Sequence, residues 1–205
     1  MERSPEREQG LPPRIYLVGF MGSGKTSAGR CLALRLSVPF VDLDAEIENR
    51  AGRTIRDIFR VQGESHFRHL ESEELSRVAT VPAAVIALGG GAFCSAENRR
   101  TAAASGISVW LDVPLEVLLA RCADDPSRPL LGGECEMAAL LQERRAFYAL
   151  ADIRLQAGDL PADAVAEEVL RALTNRARDV SGATTRSCAG PSPSAPRDAR
   201  GRETP

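Results

Sequence analysis

Gly19-Phe20-Met21-Gly22-Ser23-Gly24-Lys25-Thr26 lies between a short apolar run, Ile15 to Val18, and a stretch of helical periodicity, Lys25 to Leu36. Glycines let such a backbone curl so that successive N–H groups point inward, and the helix that follows adds the positive end of its dipole. A loop of this kind cradles phosphate oxygens. Lys25 supplies a point charge for the β and γ groups of a nucleotide, and the Thr26 hydroxyl is a hard oxygen donor of the type Mg²⁺ prefers. Gly22, Ser23, Gly24, Lys25, Thr26 and Ser27 are therefore the expected contacts to a nucleotide's phosphates. A plain glycine turn before a helix would need neither the lysine nor the hydroxyl.

Working outward, apolar runs recur at Val38 to Val41, Ala84 to Leu88, Ile107 to Leu111 and Ile153 to Leu155. With the first run they read as five buried strands, Pro39 being tolerated only at the start of its strand. Helical stretches separate them: Lys25 to Leu36, Ala45 to Ala51, Ile55 to Val61, Glu64 to Val78, Ala96 to Ala103, Leu115 to Cys122, Met137 to Leu150 and Ala162 to Leu173. Thr54 and Ser95 are N-cap candidates, and Pro114 and Pro161 stand where helices can begin. The alternation implies an α/β fold, a central five-stranded parallel sheet with helices on both faces.

A chain of 205 residues suits one such domain. The formal net charge of −2 and the single Trp supply neither a field nor a stacking platform for nucleic acid, so no nucleic-acid or membrane partner is expected. The five cysteines form no CxxC pair and their odd number cannot pair fully within one chain, which suggests reduced thiols and a cytoplasmic setting. Residues 1–13 read as a flexible extension without the basic-then-apolar pattern of a secretion signal. From 177 to 205 the composition turns to Ser, Pro, Gly, Ala, Arg and Asp, which predicts a disordered tail beyond a domain spanning 14–176.

The loop alone says only nucleotide. Asp42-Leu43-Asp44 closes the second strand, where period-two alternation would put both carboxylates on the same side beside the loop. Asp44 alone could instead cap the following helix. Glu64, Arg68 and Glu71 share a helical face, which could also be a solvated ion-pair face. Gly89-Gly90-Gly91 follows a buried strand, where three glycines are unfavourable unless something must approach the backbone closely.

Together, Gly19 to Thr26, Asp42-Leu43-Asp44, Gly63-Glu64 with Phe67-Arg68 and Glu71, Leu88 to Gly91, and Ser127-Arg128-Pro129-Leu130-Leu131 resemble, in order and approximate spacing, the motifs of shikimate kinases. The resemblance covers about Arg14 to Arg176. It implies a three-layer P-loop fold, like that of nucleoside monophosphate kinases, with a mobile lid over Asp124 to Glu134. It also implies ATP-dependent phosphorylation of shikimate to shikimate 3-phosphate by a monomer using one Mg²⁺. By resemblance Asp42 and Thr26 hold the metal, and Lys25, Asp44 and Arg128 carry the catalysis. Arg68, Arg144, Gly90 and Asp44 hold shikimate, and Glu71 orients Arg68. Arg121 packs against adenine and Arg128 reaches the phosphates. Arg144 is preferred to the adjacent Arg145 because the family's arginine lies four residues before a tyrosine, here Tyr148. Gly158-Asp159-Leu160-Pro161 lacks the basic residue that some relatives carry on the adenine side. His66 and His69 read as surface or supporting residues, and Trp110 as core.

Two other readings are a related kinase of gluconate or another sugar acid, and a non-catalytic nucleotide-binding module. Arg68 with the triple glycine argues against the first, and the full set Lys25, Thr26, Asp42, Asp44, Arg68 and Arg128 against the second. Lys25→Ala removes a charge facing the transferring group but little packing, so turnover should fall on the order of a thousandfold with the fold intact. Activity within about tenfold of the parent, set against that magnitude, would count against the assigned role.

Overall fold

The computed structural model describes residues 11–123 and 133–186. Five strands run through it: β1 (Arg14–Val18), β2 (Phe40–Asp42), β3 (Ala84–Ala87), β4 (Ile107–Asp112) and β5 (Ile153–Gln156). Seven α-helices lie among the described residues: α1 (Lys25–Leu36), α2 (Leu43–Ala51), α3 (Ile55–Val78), α4 (Ala96–Ser105), α5 (Leu115–Ala123), α6 (Glu134–Tyr148) and α7 (Ala162–Arg186). A single 3-10 turn at Ala92–Cys94 follows the glycines after β3.

The strands are all parallel, in the order β2-β3-β1-β4-β5. The central strands β1 and β3 are buried at nearly every position because helices cover both faces, which is why they read as unbroken apolar runs. The edge strand β5 alternates instead, with Ile153 and Leu155 less exposed than Arg154 and Gln156. Tyr16, Leu17, Leu32, Val85, Ile86 and Val109 lie at the centre of the core, each less than 1% exposed. In register, Asp42 pairs with Ala87, Leu17 with both Ala87 and Val109, and Asp112 with Gln156, so the carboxyl ends of the strands form one edge. The chain leaves β1 there with β3 on one side and β4 on the other, the place where open α/β sheets form a binding crevice.

Three local details differ from the sequence expectation. The second strand is Phe40–Asp42, displaced toward the aspartate, with Pro39 before it accepting a hydrogen bond from Val85 N. The two helical stretches around Gly63 form one helix, α3, kinked there by a backbone (φ 81°, ψ 171°) open essentially to glycine alone. The expected boundary at 176 does not end a helix: α7 continues to Arg186, so 177–186 is helical where a disordered tail was expected. Residues 1–10, 124–132 and 187–205 lie outside the described residues, and with them most of the expected extension, nearly all of the expected lid and the rest of the expected tail. Among the described residues no helix is long and apolar enough to cross a membrane.

The end of α4 is tied to β1 by Arg14 Nη1 donating to Ser105 O (2.8 Å) and by a 2.6 Å hydrogen bond between Tyr16 and Ser105 hydroxyls. At Gly106 the turn into β4 brings the backbones so close that a Cβ would lie 2.3 Å from Arg14 O. That carbonyl cannot withdraw without disturbing the pairing of β1 with β4. Gly106→Ala should therefore destabilise the fold by about 1–3 kcal/mol, as overpacking does. Chemical denaturation checks this, and an unchanged midpoint would show that the strand ends yield freely.

Candidate active site

The glycine loop joins β1 to α1. Gly22 (φ 76°) and Gly24 (φ 88°) take left-handed conformations, and Ser23 N closes a turn onto Phe20 O at 3.2 Å. Helix α5 seats directly on the loop, since a Cβ on Gly22 would lie 3.0 Å from Cys122 Sγ. Lys25 Nζ donates to the carbonyls of Gly19 and Phe20, each at 2.8 Å, which keeps its ammonium against the loop rather than out in solvent. Ser23 is buried, and Ser27 is exposed on the first turn of α1. Arg121 donates to Gly22 O (3.3 Å) and Gly158 O (3.1 Å), so it spans the glycine loop and the β5–α7 connection.

Asp42 and Asp44 reach the loop differently from the expectation that both close a strand. The strand stops at Asp42, whose side chain accepts from Ala45 N and caps α2, so Asp44 stands in the first helical turn. Helical geometry then separates the two carboxylates by direction. Asp42 Oδ2 accepts a 2.8 Å hydrogen bond from Thr26 Oγ1, which brings two hard oxygen ligands together at the start of α1. Asp44 turns toward the glycines after β3, where a Cβ on Gly89 would lie 2.5 Å from Asp44 Oδ1 and 3.0 Å from Glu71 Oε1. Nothing larger than glycine fits beneath these two carboxylates.

Arg68 lies over the next glycine but one. A Cβ on Gly91 would sit 2.5 Å from Arg68 Nη1, so this glycine too is a place of close approach. The guanidinium is held by Glu64 Oε1 (3.0 Å from Nη2) and by Glu71 Oε2 (2.9 Å from Nη1), and it lies over the Phe67 ring. Glu71 is 1% exposed, and its other oxygen, Oε1, has no hydrogen-bond partner among the described residues. Burial pushes the Glu71 carboxyl above its ordinary range, with Arg68 opposing and Asp44 adding. Burial likewise raises Asp44, against the pull of Lys25 and with Asp42 adding.

Adjacent arginines on α6 take opposite sides. Arg144 faces the glycine turn, its Nη1 3.3 Å from where a Gly90 Cβ would be and its guanidinium over Phe20. Arg145 donates to both oxygens of Asp112 at 3.2 Å, and Arg154 shares that carboxylate at 3.0 Å through Nε. Asp112, at the end of β4, is thus the anchor that fixes which way α6 faces. Tyr148 reinforces the seat by donating to Gly90 O at 2.5 Å. Sequence reasoning passed over Asp112; its signal is a carboxylate ending the apolar run of β4.

Lys25, Thr26, Asp42, Asp44, Arg68, Gly90, Arg121 and Arg144 accordingly line the edge formed by the glycine loop, the start of α2, the middle of α3 and the Gly89–Gly91 turn. Arg128 falls outside the described residues. His69 is exposed and pairs with Glu73, and Trp110 is 3% exposed in the core. The arrangement offers a phosphate cradle, a site for a hard cation, a buried carboxylate and two convergent guanidiniums suited to a second anion.

A family model described as shikimate kinase matches residues 21–174. A shikimate kinase of Moorella thermoacetica is 45% identical over 165 residues, 80% of this chain and 95% of that protein. One of Persephonella marina is 46% identical over 142 residues, covering 69% and 87% respectively. Among solved structures, shikimate kinase from Acinetobacter baumannii in complex with shikimate superposes with a TM-score of 0.79 at 38% identity, over 84% of this chain and 98% of the other.

The raised carboxyl of Asp44 has a consequence for stability. The native state holds its proton to higher pH than the unfolded chain does, so stability falls as pH rises through the window between the unfolded value and the raised one. Asp44→Asn removes that loss. The variant should melt above the parent at about pH 8, and the gain should vanish near pH 3, below the ordinary aspartate value. Calorimetry across that range checks the sign, and a gain that grows toward acid would show the burial argument to be wrong.

Proposed function

Because the chain belongs to the shikimate kinase family, we propose that it transfers the γ-phosphoryl group of ATP to the 3-hydroxyl of shikimate, releasing ADP and shikimate 3-phosphate. The observation that carries this reading is the convergence of Arg68 and Arg144 on the Gly89–Gly91 turn, beside the half-buried Asp44 and within one site with the glycine loop. Two guanidiniums there suit a carboxylate, and the half-buried carboxylate beside them suits an acceptor hydroxyl.

In this mechanism the loop N–H groups and Lys25 hold the β and γ phosphates, and Arg121 flanks the nucleotide between Gly22 and Gly158. The acceptor oxygen forms its bond to the γ-phosphorus while the bond from that phosphorus to the β–γ bridging oxygen breaks. ADP leaves with the electron pair. Asp44 accepts the hydroxyl proton, and its raised pKa makes it a better base than an ordinary aspartate. Thr26 and Asp42 would hold one Mg²⁺, a fit supported by the 2.8 Å pairing of their oxygens. A bound Mg²⁺ supplies charge neutralisation at the phosphates. Arg128 would add charge from the 124–132 segment. The enzyme is read as a cytoplasmic monomer without nucleic-acid or membrane partners; Cys31, Cys94 and Cys135 are reduced thiols.

If Arg68 and Arg144 read the carboxylate, shikimate methyl ester should be a very poor acceptor, losing roughly 2–5 kcal/mol of transition-state binding, as truncated buried charge pairs do. Arg68→Lys should also fail with shikimate, because an ammonium keeps the charge but not the planar fork. Coupled measurement of ADP release checks both. An ester phosphorylated nearly as well as the acid would leave a kinase but remove shikimate as its acceptor.

A further inference from the structure

Helix α2 carries Asp42 and Asp44 at its start and is only nine residues long. A helix this short has little intrinsic rigidity of placement, so something must fix its rotation against α3. Buried Leu43 and Ile47 seat it against the core, and a polar cluster joining α2 beyond Asp44 to α3 adds to this. Glu74, on α3, is 1% exposed. It accepts Arg50 Nη1 from α2 at 2.6 Å and Arg77 Nε from its own helix at 2.8 Å. Arg77 Nη2 returns to α2 by donating to Glu46 Oε2 at 2.7 Å. Glu46 and Arg50 are one turn apart on α2, as are Glu74 and Arg77 on α3, so the two crossing bonds form together only in one register of the helices.

Apolar side chains would hold α2 on α3 at least as firmly, since burying a carboxylate is expensive even when it is paired. What the charged group adds is direction. Arg68, Glu71 and Glu74 follow one another at spacings of three along α3, while α2 carries Asp44 two residues before Glu46. Burial pushes the Glu74 carboxyl up, but hydrogen bonds from Arg77 and Arg50 outweigh this and hold it below the ordinary range. The group therefore stays ionised at neutral pH.

We propose that Glu74 is a positioning residue for Asp44: through Arg50 and the Arg77–Glu46 pair it sets the register of α2 on α3, and so the place of the Asp44 carboxylate over Gly89. This rests on the reading of Asp44 as the group facing the acceptor hydroxyl. Glu74 touches neither substrate, and its effect should appear in the chemical step rather than in nucleotide binding.

The test measures shikimate-dependent ADP release by the parent, Glu74→Gln, Arg50→Gln and Arg50→Lys, alongside hydrogen exchange of the α2 amides. Glu74→Gln should lower kcat about tenfold or more, a modest fraction of what a 1 Å misplacement can cost, with KM for ATP within about twofold of the parent. Arg50→Gln should move kcat the same way and speed exchange in α2, and Arg50→Lys should recover most of the loss by keeping the charge. If Glu74→Gln does not fold, Arg50→Gln decides alone, because the Arg50 side chain is 58% exposed and its removal leaves Arg77 on the carboxylate. Folded variants with kcat within about twofold of the parent, or with kcat and ATP affinity declining together, would overturn the proposal, since neither shows the misplacement effect. A parent that releases no ADP with shikimate sinks the functional reading instead, and unaltered exchange of α2 in Arg50→Gln then sinks the clamp as well.

Discussion

Two carboxylates, the half-buried Asp44 and the buried Glu71, meet over Gly89, and this concentration of negative charge with little water around it is the constraint around which the site is organised. Such groups persist only where cations and hydrogen bonds offset their lost hydration. Lys25, Arg68 and Arg144 supply the cations, each from a different element, and each is itself held: Lys25 by loop carbonyls, Arg68 by Glu64 and Glu71, and Arg144 by the seating of α6. A site built in this way is under electrostatic tension before any ligand arrives. Hydroxyl donors would satisfy the two carboxylates, and an anionic group would be drawn instead to the guanidiniums of Arg68 and Arg144.

The sheet converts this local chemistry into a shared edge. Because β1 lies between β3 and β4 in a parallel array, the glycine loop, the Gly89–Gly91 turn and Asp112 emerge side by side although they are distant in sequence. Helices then bring the remaining groups to that edge, and a polar contact adds to the apolar packing that seats them. Asp112 does this for α6 and Glu74 for α2 and α3. The polar residues buried away from the phosphates are thus concerned largely with orientation.

The loop and the strands could be read from sequence because their signals are local: a glycine pattern, a lysine and hydroxyl in order, and short apolar runs. Asp42-Leu43-Asp44 was read as extended because period-two alternation ignores a side chain that can cap a helix, and Asp42 does cap one. Arg144 and Arg145 could be separated only by family likeness, since the carboxylate that distinguishes them lies on β4, far away in the chain. Glu74 gave no warning, because a glutamate near arginines on a helix looks like a solvated face until another helix covers it. The continuation of α7 past 176 has a similar cause: composition argued for loss of order, whereas a helix already formed propagates one hydrogen bond at a time.

The chain contains one tryptophan, and its position gives the molecule a built-in optical reporter. Trp110 is enclosed in the core, its ring 6.0 Å from that of Tyr148, with the guanidiniums of Arg154 and Arg145 at 4.8 and 5.9 Å from its centroid. Tyr148 holds Gly90, and Arg145 turns with α6. Indole emission depends on nearby charge, so the colour and brightness of this single chromophore register how α6 sits against the sheet, with no label attached and no second indole to confuse the signal.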